Sequence, residues 1–212
     1  CVVSGATSGV GLEAVKQLSR GGADIVLVCR NEDKAKNVKE LLLKDYQIHI
    51  DIVIADFSRL DDVRKAAVVI CKRYETIDLL INSAGLHSTK RHLTEDENEL
   101  VFQVNHIAPF LFTMMLLDAI KKSKQGRIIQ VNSQGHRFGG LRIDDLRWEK
   151  RPYIGLRAYG ASKTAQIMTV MSLAEKLKDT NVTINTMHPG EVRTNIGSNN
   201  GWLYRMWIRS VI

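Results

Sequence analysis

Short apolar runs alternate along this chain with stretches whose apolar residues recur at helical spacing. The runs lie at residues 2–3, 25–28, 48–54, 79–81, 127–131 and 182–187. Several are apolar at consecutive positions, which suits strands buried on both faces. Between them, residues 11–20, 31–45, 60–74, 96–122 and 158–178 read as helices. Such alternation implies right-handed crossovers and an α/β fold: a doubly wound, Rossmann-type parallel sheet with helices on both faces. No repeat, low-complexity tract or linker divides the chain, so a single domain is expected over residues 1–212. The connection at 135–156 is long, and connections of that length often carry function. The first strand is short of the usual five or so residues. No convincing strand follows Gly190, and part of the natural C-terminus is expected to be missing.

Composition narrows the class. With 212 residues, 44% hydrophobic and 25% charged, the chain reads as an ordinary soluble domain with a sizeable core. No apolar run approaches the ~20 residues that span a bilayer. The longest, 107–117, is interrupted by Pro109 and Thr113. The net charge of +7 suits nucleic acid, an anionic membrane, a phosphorylated ligand or simply scattered solvated lysines. There is no basic stretch interleaved with aromatics, so nucleic acid is not an expected partner. Cys1, Cys29 and Cys71 show no paired spacing. Cys29 and Cys71 have apolar neighbours and read as reduced core thiols. That places the chain in a reducing compartment, the cytoplasm or the cytoplasmic face of a membrane. No metal-ligand spacing and no Gly-x-Ser-x-Gly elbow is present, which argues against a metal site and a serine hydrolase.

Two patterns carry chemistry. The run Ser4-Gly5-Ala6-Thr7-Ser8-Gly9-Val10-Gly11 joins the first strand to the first helix. Glycines allow close backbone approach, and the helix N-terminus offers free N–H groups and a positive dipole to a pyrophosphate. A merely tight turn is the alternative. At the end of the second strand stands Arg30, with no carboxylate from Ile25 to Asn31. A ribose 2′-phosphate favours arginine here and a 2′-hydroxyl favours a carboxylate, so NADP is preferred over NAD. A solvated strand-end arginine is the competing reading. In the second pattern, Tyr159 and Lys163 stand four residues apart on one helical face. An ammonium beside a phenol lowers its pKa and fits it to exchange protons near neutral pH.

Taken together, the glycine turn, Asp56-Phe57-Ser58, Asn82-Ser83-Ala84-Gly85, Asn105, Ser133, Tyr159 with Lys163, and the run from Pro189 to Thr194 resemble the short-chain dehydrogenase/reductase family. The likeness runs from Ser4 to about Ile196. Cys29-Arg30, Asp144-Asp145-Leu146 with Glu149-Lys150-Arg151, and His188-Pro189-Gly190 make it most similar to the retinol dehydrogenase-like branch. The resemblance implies a role for each residue. Asp56, with the backbone at Phe57, would hold the adenine; Asn82, Ala84 and Gly85 would line the adenine ribose. Tyr159 would be the acid in reduction and the base in oxidation. Lys163 would bond the nicotinamide ribose and lower the tyrosine pKa. Ser133 would polarise the carbonyl, and Asn105 would position a water relaying protons from Lys163. Pro189, Gly190, Val192 and Thr194 would hold the carboxamide. The family usually has Asn-Asn-Ala-Gly and Ser-Ser where this chain has Asn82-Ser83-Ala84-Gly85 and Asn132-Ser133; neither change removes a reacting group.

The expectation is therefore an oxidoreductase using NADP (NADPH) to interconvert an alcohol and a ketone or aldehyde on a small apolar substrate. A non-catalytic nucleotide sensor or scaffold on the same fold is the rival of another class, and an NAD-linked dehydrogenase the rival enzyme. The aromatic, basic segment 202–209 reads first as a lid over an apolar pocket, with peripheral membrane contact and a subunit interface in a homo-oligomer as alternatives. His136 reads as a surface polar group or a site lining.

Overall fold

A computed structural model of the chain describes residues 1–190, so Val192, Thr194 and the 202–209 segment lie outside the described residues. The strands are β1 (Val2–Ser4), β2 (Ile25–Cys29), β3 (Ile50–Ile54), β4 (Leu79–Asn82), β5 (Gly126–Val131) and β6 (Val182–Met187). All pair in parallel, in the order β3-β2-β1-β4-β5-β6. The helices are α1 (Gly9–Arg20), α2 (Glu32–Asp45), α3 (Leu60–Arg73), α4 (Leu100–Phe102), α5 (Ala108–Lys121) and α6 (Gly155–Leu177). This is the doubly wound sheet that the apolar runs imply.

The strands are apolar on both sides because both sides are covered. Val2, Val26 and Val28 pack with Ala66 and Ile70 of α3, Phe112 and Leu116 of α5 and Val170 of α6. Their alternates Val3, Ile25 and Leu27 pack with Val15 of α1 and Val38 and Leu42 of α2. Each fully buried side chain of this size contributes roughly 1.5–3 kcal/mol. The two layers therefore pack the strand ends in place, and those ends bear the residues expected to form the site.

Three local differences from the sequence reading have physical causes. The helix expected over 96–122 begins at Leu100, because the Glu99 carboxylate caps it by accepting the N–H groups of Val101 (3.0 Å) and Phe102 (2.8 Å). Asp96 is used elsewhere, accepting from the first N–H of α3, that of Leu60, at 2.9 Å. A π-turn at Gln103–Ile107 then joins α4 to α5. The continuous Leu100–Lys121 segment, with mean hydropathy 1.6, is long and apolar enough to cross a bilayer, but 61% of that window is buried inside the protein, and it packs as the core helix.

Cys71 is exposed, which corrects its reading as a core thiol: Ile70 faces the core, and the next helical position turns outward. Cys29 is buried, and all three thiols are free. The long 135–156 connection contains two 3₁₀ turns, Gln134–Phe138 and Ile143–Asp145, and α6 starts three residues before the expected Ala158.

Candidate active site

In an open parallel sheet, ligands bind beyond the C-terminal strand ends where the strand order reverses. Here the reversal lies between β1 and β4. Gly5 follows β1, Arg30 follows β2, Asp56 and Phe57 follow β3, Ala84 and Gly85 follow β4, Ser133 follows β5, and Pro189 and Gly190 follow β6. The fold thus gathers residues 184 positions apart in sequence onto one edge, from Gly5 to Pro189.

At the switch point the two central turns lock together. The Ser4 hydroxyl accepts the N–H groups of Ser83 (3.2 Å) and Ala84 (3.3 Å). Gly5 has φ +67°, and a Cβ there would lie 2.7 Å from the Ala84 nitrogen, so only glycine fits. The chain then enters α1 through Ser8, whose side chain makes no capping bond, and no acidic residue occupies the first turn. The N–H groups from Gly9 to Gly11 are left without a side-chain acceptor from the cap, and the dipole is not neutralised. This cradle of backbone, beside the half-buried Thr7 and Val10, fits a pyrophosphate.

The other expected cofactor contacts differ in what they expose. Arg30 is exposed and has no ion-pair partner among the described residues. The Asp56 carboxylate accepts the Ser58 N–H at 2.8 Å and keeps further acceptor capacity. Phe57 is buried with its ring edge-on to Phe112 at 5.6 Å, so only its backbone reaches the edge. Asn82 is also buried, and its amide donates to the Thr113 hydroxyl at 2.9 Å. It braces the sheet from below.

Ser133, Tyr159 and Lys163 come together. Ser133 caps the first 3₁₀ turn, accepting the Gly135 N–H on its hydroxyl at 3.1 Å. Tyr159 lies one turn into α6, its ring and the Ser133 hydroxyl both set against Gly135. Burial raises the Tyr159 pKa from its ordinary value, and the neighbouring Ser133 side chain offsets this only in part. The expected lowering by Lys163 is not found. The ammonium sits 5.7 Å from the ring centroid and donates instead to the Val131 carbonyl at 2.9 Å. Burial alone lowers its own pKa to about 8. The phenol therefore keeps its proton at neutral pH, while Lys163 remains mostly charged.

Asn105 lies in the π-turn, and its side chain is fully engaged. Its amide donates to the Leu86 carbonyl (3.0 Å) and the Ser162 hydroxyl (3.1 Å), and its Oδ1 accepts the Leu86 N–H at 2.8 Å. It ties the β4 turn to α6. Only its main-chain carbonyl faces the lysine region, where it accepts from the Gln166 amide at 3.2 Å.

Three residues at the site escaped the sequence reading. Gly135 packs under the Tyr159 ring, where an added Cβ would stand 2.5 Å from Cε1. His87 is buried with its ring 5.8 Å from that of Tyr159, and burial lowers its pKa, so it is neutral. Gln166 contacts Lys163, and its place three residues after it on one helix was a readable signal. His136 is half-buried, its Nδ1 2.9 Å from the Ser133 carbonyl, where it steadies the turn.

Comparisons with known proteins agree with this geometry. The short chain dehydrogenase family model matches residues 1–144 and 147–201. Retinol dehydrogenase 13 of Homo sapiens is 36% identical over 201 residues, covering 94% of this chain and 61% of that protein. Retinol dehydrogenase 14 of Homo sapiens is 33% identical over 210 residues, covering 92% and 62%. The chain thus spans about three fifths of the length of these relatives. A metagenomic short-chain oxidoreductase solved in complex with NADP superposes with a TM-score of 0.73 at 26% identity, covering 91% of this chain and 82% of that one. With the strand order, the locked glycine turn and these matches in hand, the chain belongs to the short-chain dehydrogenase family, in its retinol dehydrogenase-like branch.

Proposed function

We propose that the chain is an NADP-dependent oxidoreductase that interconverts an apolar alcohol with its aldehyde or ketone, with Ser133, Tyr159, Lys163 and Asn105 as its working set. The observation that carries the reading is the placement of the Ser133 and Tyr159 side chains together over Gly135 at the strand edge, with a buried ammonium behind them. When bound, the nicotinamide cofactor supplies the hydride. Gly5, Thr7, Ser8, Gly9, Val10 and Gly11 would hold its pyrophosphate, Arg30 its 2′-phosphate, and Asp56, Ala84 and Gly85 its adenosine side.

The protein's own part is a proton and a polar cradle. The Ser133 and Tyr159 hydroxyls both donate to the substrate oxygen, and Tyr159 transfers its proton as negative charge develops there. Preorganised donors of this kind are each worth roughly 3–4 kcal/mol. The Lys163 ammonium, held by the Val131 carbonyl 5.7 Å from the ring centroid, would bond the nicotinamide ribose rather than tune the phenol. A phenol whose pKa is raised holds its proton at neutral pH, as the acid in reduction must. The relatives named retinol dehydrogenase and the neighbour solved with NADP support an apolar carbonyl and NADP.

Arg30→Ala is expected to weaken NADPH binding by the worth of a charge-assisted bond, roughly 1.5–3 kcal/mol, and to leave NADH binding unchanged. Titration of both cofactors checks this. Equal affinity of the wild type for the two would contradict NADP preference.

Burial penalises the charged form of Lys163, so the ammonium is present below about pH 8 and lost above it. NADPH affinity is accordingly expected to fall as pH rises through that value. A dissociation constant that stays flat across it would remove the lysine from cofactor binding.

A further inference from the structure

Tyr159, Lys163 and Gln166 stand at i, i+4 and i+7 of α6, one stripe on its buried face. Gln166 is 3% exposed, and both ends of its amide are engaged. Its Oε1 accepts from the Lys163 Nζ at 3.4 Å and from the Asn132 Nδ2 at 3.0 Å. Its Nε2 donates to the Asn105 carbonyl at 3.2 Å and to the Gln130 Oε1 at 3.1 Å. The orientation of this amide is dictated by its neighbours. An ammonium can only donate and a main-chain carbonyl can only accept, so a flipped amide would set like against like at both ends.

Asn132 is fixed in the same way. Its Nδ2 also donates to the Lys163 carbonyl at 3.0 Å, and its Oδ1 accepts the Ser133 N–H at 2.6 Å. The departure from the family's Ser-Ser pair therefore has a partner: Asn132 is long enough to reach Gln166, which a serine would not be. The chain of bonds runs from the main chain of Asn105, through Gln166, to the Lys163 ammonium and, by Asn132, to Ser133.

We propose that Gln166 is a positioning residue for the reaction, its amide bridging the Lys163 ammonium to the Asn105 carbonyl and, with Asn132, setting Ser133 against Tyr159. The proposal rests on the reading of Ser133, Tyr159 and Lys163 as the reacting groups. A buried side-chain amide held by four bonds has one orientation available, so the ammonium keeps one place. Among the described residues, the groups against that ammonium are the Val131 carbonyl from β5 and, from α6, the Gln166 amide and the Tyr159 ring. None of these is charged at neutral pH, in keeping with burial as the one cause of its lowered value.

Gln166→Met keeps the length and removes both acceptor and donor; Gln166→Glu keeps the shape and adds a charge. Lys163 is followed in each by NMR titration of ¹³Cε-labelled lysine, alongside kcat and KM for NADPH-dependent carbonyl reduction. The expected result is a Lys163 titration moved down in Gln166→Met and up in Gln166→Glu. kcat in Gln166→Met should fall roughly 10–100-fold, as for a small misplacement of reacting groups, with KM for the carbonyl little changed. A folded Gln166→Met with unchanged titration and kcat and only a lower Tm overturns the proposal, leaving Gln166 as core filling. If Gln166→Met does not fold, an unshifted Lys163 titration in Gln166→Glu overturns it equally. Shifted titrations in a protein that reduces no carbonyl would uphold the positioning and refute the enzymatic reading instead.

Discussion

Tyr159→Phe is expected to lower carbonyl reduction by ~10²–10⁴-fold, the span of a positioned general acid, while NADPH binds nearly as in the wild type. The ring is retained, so its edge contact with His87 and its packing over Gly135 persist. Only the hydroxyl, and with it the influence of Ser133 on its proton, is lost. The Ser133 hydroxyl still polarises the carbonyl, which leaves a residual rate. Steady-state NADPH oxidation at saturating carbonyl, paired with fluorescence titration of NADPH, separates the two effects. A Phe variant as fast as the wild type would show that the proton comes from elsewhere.

The second large effect is expected from Gly135→Ala, a change of one methyl group. Its Cβ would lie 2.5 Å from the Tyr159 Cε1 and 2.7 Å from Cδ1, well inside contact distance. The ring is half-buried with His87 against it at 5.8 Å, which limits its room to retreat. It must tilt, and the hydroxyl at its tip moves furthest. A displacement near 1 Å costs about 10²-fold in rate, and the overpacking costs roughly 1–3 kcal/mol of stability. NADPH affinity should barely change, because the cradle at Gly5 to Gly11 is untouched. kcat for the purified variant, measured with its Tm and NADPH affinity, decides the matter. An undiminished kcat would mean that the tyrosine does not work from this position.

The sheet was legible because its strands are apolar on both faces, a pattern that few other arrangements require. Gly5 to Gly11 was legible because strand, glycines and helix follow one another within the chain. The start of α5 was not. The 96–122 stretch is helical in its spacing, yet the Glu99 cap and the π-turn at Gln103–Ile107 depend on contacts that no periodicity records. Cys71 has apolar neighbours in sequence but faces outward, since one residue on a helix rotates the side chain by about 100°.

At the site, Tyr159 and Lys163 announce themselves by spacing. The direction of the Tyr159 pKa does not follow from spacing, because burial outweighs a lysine whose ammonium is drawn toward the Val131 carbonyl. Gly135 and His87 approach Tyr159 only through the tertiary fold, so nothing local marks them. Gln166 was half-legible: its register is visible in the sequence, but its importance comes from Asn132 and Asn105, brought to it by β5 and the π-turn.

Carbonyl reduction by this protein is tested most directly by NADPH consumption against a panel of retinal, fatty aldehydes, steroids and quinones, with NADH run in parallel. Carbonyl-dependent oxidation of NADPH is expected on at least one apolar member, slower with NADH at equal concentration. A folded protein that binds NADPH yet oxidises it with none of the carbonyls would contradict that expectation.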